Sequence, residues 1–186
     1  METERTRLRQ WTEKDLDPFH QINSDSRVMQ FFPRSLSKAE SDSMVTRLSE
    51  KIEKSGWGLW AVDRLDKEEF IGFVGLSEPS FSAHFTPCVE VGWRLKFDAW
   101  GHGFATEAAF RALEFAFESL HLPEVVSFTS KMNLRSIKVM ERLGMHYEQK
   151  DEFDHPNINA SHPLCRHVLY RLDFASWNTR KASSKP

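Results

Sequence analysis

The sequence has little cysteine, no long apolar run and almost no net charge. Its two cysteines, Cys88 and Cys165, lie far apart and form no Cys-x-x-Cys pair. The opening METERTRLRQW carries no apolar signal region, so an intracellular, reduced and cytoplasmic protein is expected. No apolar stretch approaches the roughly 20 residues needed to span a bilayer, which argues for a soluble chain with no membrane partner. Twenty-five basic side chains oppose twenty-seven acidic ones, with no run of like charge, and this argues against nucleic acid as a partner. At 186 residues the chain suits one domain, taken as residues 1–178, followed by a polar tail, 179–186, expected to be disordered.

What is present is a run of antiparallel strand patterns followed by strand, helix and strand, with helix patterns between. Residues 6–11 alternate polar and apolar as a strand, and Thr12 suits the cap of a helix running to about Ile22. Ser37 and Glu40 fit a capping box for a helix over 38–54, closed by Gly56. Apolar runs at 59–62 and 70–76 bracket a charged turn and predict an antiparallel pair, with a third strand at 89–95. From Ala105 the apolar residues Ala108, Ala109, Ala112, Leu113, Ala116, Phe117 and Leu120 fall at steps of three and four, a helical stripe. A strand at 124–129, a helix at 134–143 stopped by Gly144 and a strand at 168–172 complete an α/β (α+β) pattern: one mixed, mostly antiparallel sheet flanked by helices on both faces.

The stretch VEVGWRLKFDAWGHGFATE, residues 89–107, runs a strand into a glycine turn and then into that helix. Glycines let the backbone approach a ligand, and the first helical amides and the helix dipole favour an anion. No Gly-Lys-Ser/Thr follows the turn, so it is not a P-loop; no full Gly-x-Gly-x-x-Gly is present, and Glu124 opens a strand where a ribose-binding acid should close one. Such turns are also common as plain connectors.

WGHGFATEA, followed downstream by NLRSIKVMERLGM, resembles the GNAT superfamily of acyl-CoA-dependent N-acetyltransferases, and more narrowly the branch containing the ribosomal-protein-alanine N-acetyltransferases. The resemblance spans most of the chain and is strongest from Glu90 to Gly144. It implies acetyl-CoA as co-substrate and an amine as acceptor, with the amides of Gly101, His102, Gly103, Phe104, Ala105 and Thr106 on the pyrophosphate. Lys96 would add charge at the edge, and the strand around Trp93 and Leu95 would meet the thioester. One departure is Trp100, which stands where the superfamily pattern often has Gln or Arg and shifts the binding onto backbone amides.

The same resemblance makes Glu90 the carboxylate that takes a proton from the amine, often through water; a solvated strand carboxylate is the other reading. Ser136 matches the serine that protonates the departing thiolate, a role other members give to a tyrosine, for which Tyr147 is the candidate. Asn133 would hydrogen-bond the pantetheine arm, and both Asn133 and Ser136 also suit helix capping. Phe31 and Phe32 lie where acceptor-binding loops occur, and His155, His162 and Arg166 lie in a loop bordering the acceptor end. Imidazoles titrate near neutral pH, so His162 is a proton-carrier candidate; a surface loop without function is equally compatible. The spacing of that loop fits no closed zinc pattern, so no metal is expected.

The expected activity is acetyl transfer to a primary amine, of a protein N-terminus or a small molecule such as an antibiotic, by direct attack in a ternary complex. A CoA-binding regulatory module without turnover is the alternative. Family members are often monomers or homodimers.

Overall fold

A computed structural model describes residues 1–183, which form two compact units. The first comprises Met1–Ser77 and Gly92–Ala112; the second comprises Glu78–Val91 and the chain from Leu113 onward.

In the first unit, β1 (Thr6–Arg9), β2 (Leu59–Arg64) and β3 (Glu69–Ser77) form an antiparallel meander with β1 paired to β2 from Thr6↔Arg64 to Arg9↔Ala61. The expected first helix is instead a short 3-10 turn, Glu13–Asp15, followed by α1 (Leu16–Ser24) and a four-residue α2 (Ser26–Met29). The cause is local: the Asp15 carboxylate accepts the Thr12 amide at 2.8 Å and also receives both terminal nitrogens of Arg9 at 2.7 Å, which fixes the entry turn. The capping box opens α3 (Lys38–Ser55) as expected, and Gly56 ends it at φ 77°. These helices bury Phe19, Ile22, Val28, Met29 and Val45 against Trp11, Ala61 and Phe73.

The third expected strand is β4 (Glu90–Leu95), next to β3 in the sheet. Gly72 on β3 makes the close approach possible, since a Cβ there would collide with the Arg94 carbonyl. The unit boundary falls within β4, after Val91, and within α4 (Phe104–Glu118), after Ala112.

In the second unit β5 (Glu124–Ser130) pairs in parallel with β4 at Glu90↔Val126 and antiparallel with β8 (Arg166–Asp173) from Glu124↔Asp173 to Ser130↔His167. Two short strands escape the sequence pattern, β6 (His146–Tyr147) and β7 (Phe153–Asp154), both paired to β8. They are too short to show a period of two. α5 (Leu134–Arg142) follows β5 as expected, with Gly144 at φ 78° beyond it. The disorder expected from residue 179 is corrected by α6 (Phe174–Ser183), which carries helix into that segment. Asp173 caps it through the Ser176 amide at 2.8 Å, the fully buried Trp177 stacks on Phe117 at 5.4 Å, and Lys181 reaches Glu114 at 3.2 Å. Residues 184–186 of the expected tail lie outside the described residues. Among the described residues no helix is long and apolar enough to cross a membrane.

Candidate active site

In the first unit the glycine turn has the backbone its sequence calls for. Gly101 and Gly103 stand at φ 80° and 85°, in the left-handed region, and α4 begins immediately at Phe104. Its earliest backbone bond is from the Glu107 amide to the Gly103 carbonyl, 3.0 Å, so the amides before Glu107 precede the helical ladder. Gly101, His102 and Gly103 are exposed. A Cβ at Gly101 would meet nothing within 4 Å, whereas one at Gly103 would sit 3.3 Å from Arg5 Nη2.

The turn is mounted on groups far from it along the chain. Arg5 donates from Nη1 to the His102 carbonyl at 3.0 Å and from Nε to Glu107 at 2.7 Å; the Glu107 carboxylate also accepts the Arg5 amide at 2.8 Å and the Thr3 hydroxyl. Burial pulls the Glu107 carboxyl upward, but these donors from Thr3 and Arg5 outweigh it and the net shift is below the ordinary value. The guanidiniums of Arg5 and Arg64 each lie 5.1 Å from the buried Phe104 ring. No signal links Arg5 to Glu107 along the chain, because 102 residues separate them.

Charge from side chains at the turn is nonetheless internally paired. Lys96 bonds Glu69, Arg64 bonds Asp66 at 2.7 Å and Arg5 bonds Glu107. Trp100 is partly buried, donates from Nε1 to the Leu95 carbonyl at 2.9 Å and packs 5.1 Å from Phe97, so its ring belongs to the base of the turn. An anion there would be met mainly by backbone amides.

Also in this unit, Trp93 is half-buried on β4, and Phe31 is half-buried beside the exposed Phe32. The Arg94 guanidinium lies 4.2 Å from the Phe32 ring.

In the second unit, Glu90 is half-buried at the start of β4. Asn133 does cap α5, accepting the Ser136 amide at 3.2 Å, and it also donates from Nδ2 to the Ser136 hydroxyl at 3.0 Å and to Thr129 at 3.1 Å. Tyr147 is exposed, stacks on Tyr170 and gives its proton to Glu152 in a 2.5 Å bond; that bond, with burial and the Glu152 charge, raises its pKa. Cys88 is pushed up to about 11, by burial first and by Glu90 second, so at neutral pH it is a thiol.

The loop between β7 and β8 divides by residue. His155 joins an aromatic cluster, 4.8 Å from Phe81 and 5.0 Å from His167, and burial lowers its pKa. Arg166, expected in the loop, is instead the first residue of β8 and is engaged by Glu152 and Asp154. His162 is half-buried and accepts the Leu164 amide at Nδ1, 3.1 Å. Among the described residues no group of three or more His, Cys, Asp and Glu is placed to hold a metal ion.

Three relatives set this geometry in context. An uncharacterized N-acetyltransferase, YnaD, from Bacillus subtilis is 26% identical over 148 residues, 78% of this chain and 82% of the relative. The crystal structure of an acetyltransferase from Agrobacterium tumefaciens is 26% identical with a TM-score of 0.72, covering 92% of each chain. A ribosomal-protein-S5-alanine acetyltransferase from Vibrio fischeri has the same fold at 17% identity and a TM-score of 0.73, covering 95% of this chain and 97% of the other. Residues 5–146 match the acetyltransferase (GNAT) domain family, and with that match the chain belongs to this family as an acetyl-CoA-dependent N-acetyltransferase.

Proposed function

We propose that residues 1–178 work as one cytoplasmic acyltransferase domain, monomeric or homodimeric, that acetylates a primary amine by direct attack on the acetyl-CoA thioester. The acceptor is an N-terminal amine of a protein or a small-molecule amine. The amides from Gly101 to Thr106 hold the pyrophosphate, and the Trp93 amide meets the thioester oxygen as it gains charge. The amine nitrogen bonds to the carbonyl carbon and the carbon–sulfur bond breaks. Glu90, directly or through water, takes the proton lost by the nitrogen, and Ser136 gives a proton to the CoA thiolate, so the products are an amide and a thiol.

The observation that supports this reading most is the hydrogen bond from Asn133 Nδ2 into the Ser136 hydroxyl oxygen, 3.0 Å. With its oxygen accepting there, the hydroxyl keeps its own hydrogen to donate. Tyr147, by contrast, has its proton held by Glu152. The absence of an ionised thiol at Cys88 favours direct attack over an acyl-enzyme.

The test is a comparison of Ser136→Ala with Tyr147→Phe by CoA-thiol release. Ser136→Ala is expected to lower kcat by about tenfold to a hundredfold with acetyl-CoA affinity unchanged, and Tyr147→Phe to stay near wild type. The reverse pattern moves the proton donor to Tyr147.

A further inference from the structure

Arg94 stands apart from the other arginines that the fold encloses. Arg9 faces Asp15 and Asp63, and Arg171 faces Glu124 and Asp151. Arg94 meets no carboxylate among the described residues: its polar partner is the neutral Asn23 Oδ1 at 2.6 Å, and its Nε is buried with no hydrogen bond. Two rings, Phe32 at 4.2 Å and Phe73 at 5.5 Å, cover the guanidinium. Burial alone pushes its pKa down to about 10, which leaves it cationic at neutral pH.

This cation is also held in place. Asn23 is fully buried and donates from Nδ2 to Ser41 on α3 at 2.9 Å, which fixes the oxygen that Arg94 faces. Beneath it, the missing side chain at Gly72 lets β3 press against the Arg94 carbonyl. His20, three residues before Asn23 and on the same side of α1, adds a second buried nitrogen without a hydrogen-bond partner, its ring Nδ1. A half-buried guanidinium with a buried, unpartnered Nε that is oriented, cationic and without a counter-charge costs folding energy unless an anion completes it.

We propose that Arg94, framed by Phe32 and Asn23, binds the anionic end of the acceptor, and that the amine this enzyme acetylates carries a carboxylate. A planar fork of donors matches a carboxylate in two parallel hydrogen bonds, while a polyamine would meet only repulsion there. The subsite deepens the acetyltransferase reading above and rests on it for the amine.

The test compares amino acids with the amines left when their carboxylate is removed, phenylalanine against phenethylamine and ornithine against putrescine, by CoA release. Wild type is expected to favour the carboxylated member of a pair by about a hundredfold in kcat/KM. Arg94→Met should bring that ratio toward one, Arg94→Lys should restore part of it, and Arg47→Met, which removes an exposed arginine on α3, should leave it unchanged. Because the ratio is taken within one protein, partial loss of fold does not imitate the result. Equal rates on both members, or an equal loss on both in Arg94→Met, overturns the subsite. Titration of the protein alone with N-acetyl amino acids gives a reading independent of turnover: binding that requires Arg94 upholds the proposal, and no binding overturns it. Failure to bind acetyl-CoA, measured separately, counts against the acetyltransferase reading instead.

Discussion

Glu90 and Cys88 lie two residues apart, and the electrostatics between them bear on both. Burial first and the Glu90 carboxylate second hold Cys88 as a thiol, and Glu90 is the proposed acceptor of the amine proton. Glu90→Gln preserves size and hydrogen bonding but removes the basic oxygen. It is expected to reduce acetyl transfer by about a hundredfold with acetyl-CoA binding retained, read by parallel turnover and titration; unchanged turnover removes Glu90 from the mechanism. Cys88→Ser is expected to keep transfer near wild type. Alkylation of Cys88 should be slower than that of an ordinary thiol near pH 8.5 and rise as pH approaches its raised pKa; fast alkylation at neutral pH contradicts the assignment.

Asp15 illustrates a charge that serves the fold alone. Burial raises its pKa, but the hydrogen bonds from Arg9 and Thr12 win and the net shift is downward. A carboxylate depressed in the folded state contributes stability above its unfolded pKa, about 3.9, and loses it as pH falls through the folded value. Arg9→Met is therefore expected to cost about 3 kcal/mol at neutral pH, by leaving Asp15 buried without its partner, and less as acid protonates it. Urea unfolding across that range measures the difference, and a pH-independent cost contradicts the pairing.

Among elements, the glycine turn and α4 were legible because their physics is local: glycines at positive φ, a helical stripe and a helix start with free amides. The mount of the turn was not, because Thr3 and Arg5 reach Glu107 across the whole of β1 to β4 in sequence. Arg5 is half exposed, so the bridge is worth about 1 kcal/mol or less. Arg5→Met is accordingly expected to weaken acetyl-CoA by roughly twofold to fivefold through a looser turn, with global stability little changed. A larger loss means that Arg5 touches the phosphate itself.

Across the molecule, the same division between local and distant signals recurs. Capping residues announced α3 and α5, alternation announced β1, and apolar runs around a charged turn announced β2 and β3. The strands β6 and β7 were silent because two residues carry no period, and α6 was hidden by a polar sequence whose helicity depends on one buried ring, Trp177, and on Lys181 reaching α4. Of the candidate residues, Asn133 was legible as the cap of α5, whereas the pairing of Lys96 with Glu69 and the withdrawal of His155 into a ring cluster follow from neighbours that only folding supplies. Arg94 lies within residues 89–107, but its lack of a carboxylate partner is visible only in three dimensions.

Backbone amides at the 101–106 turn are proposed to receive the acetyl-CoA phosphates. Gly101 is the place to test it, because a side chain there enters open space and both Asp and Asn tolerate positive φ. Titration calorimetry of acetyl-CoA into wild type, Gly101→Asn and Gly101→Asp isolates the charge from the backbone. Binding by wild type, near-equal binding by Asn and at least about a tenfold loss in Asp that narrows with added salt is the expected result. Equal affinity of the Asn and Asp proteins, or no binding by wild type, contradicts it.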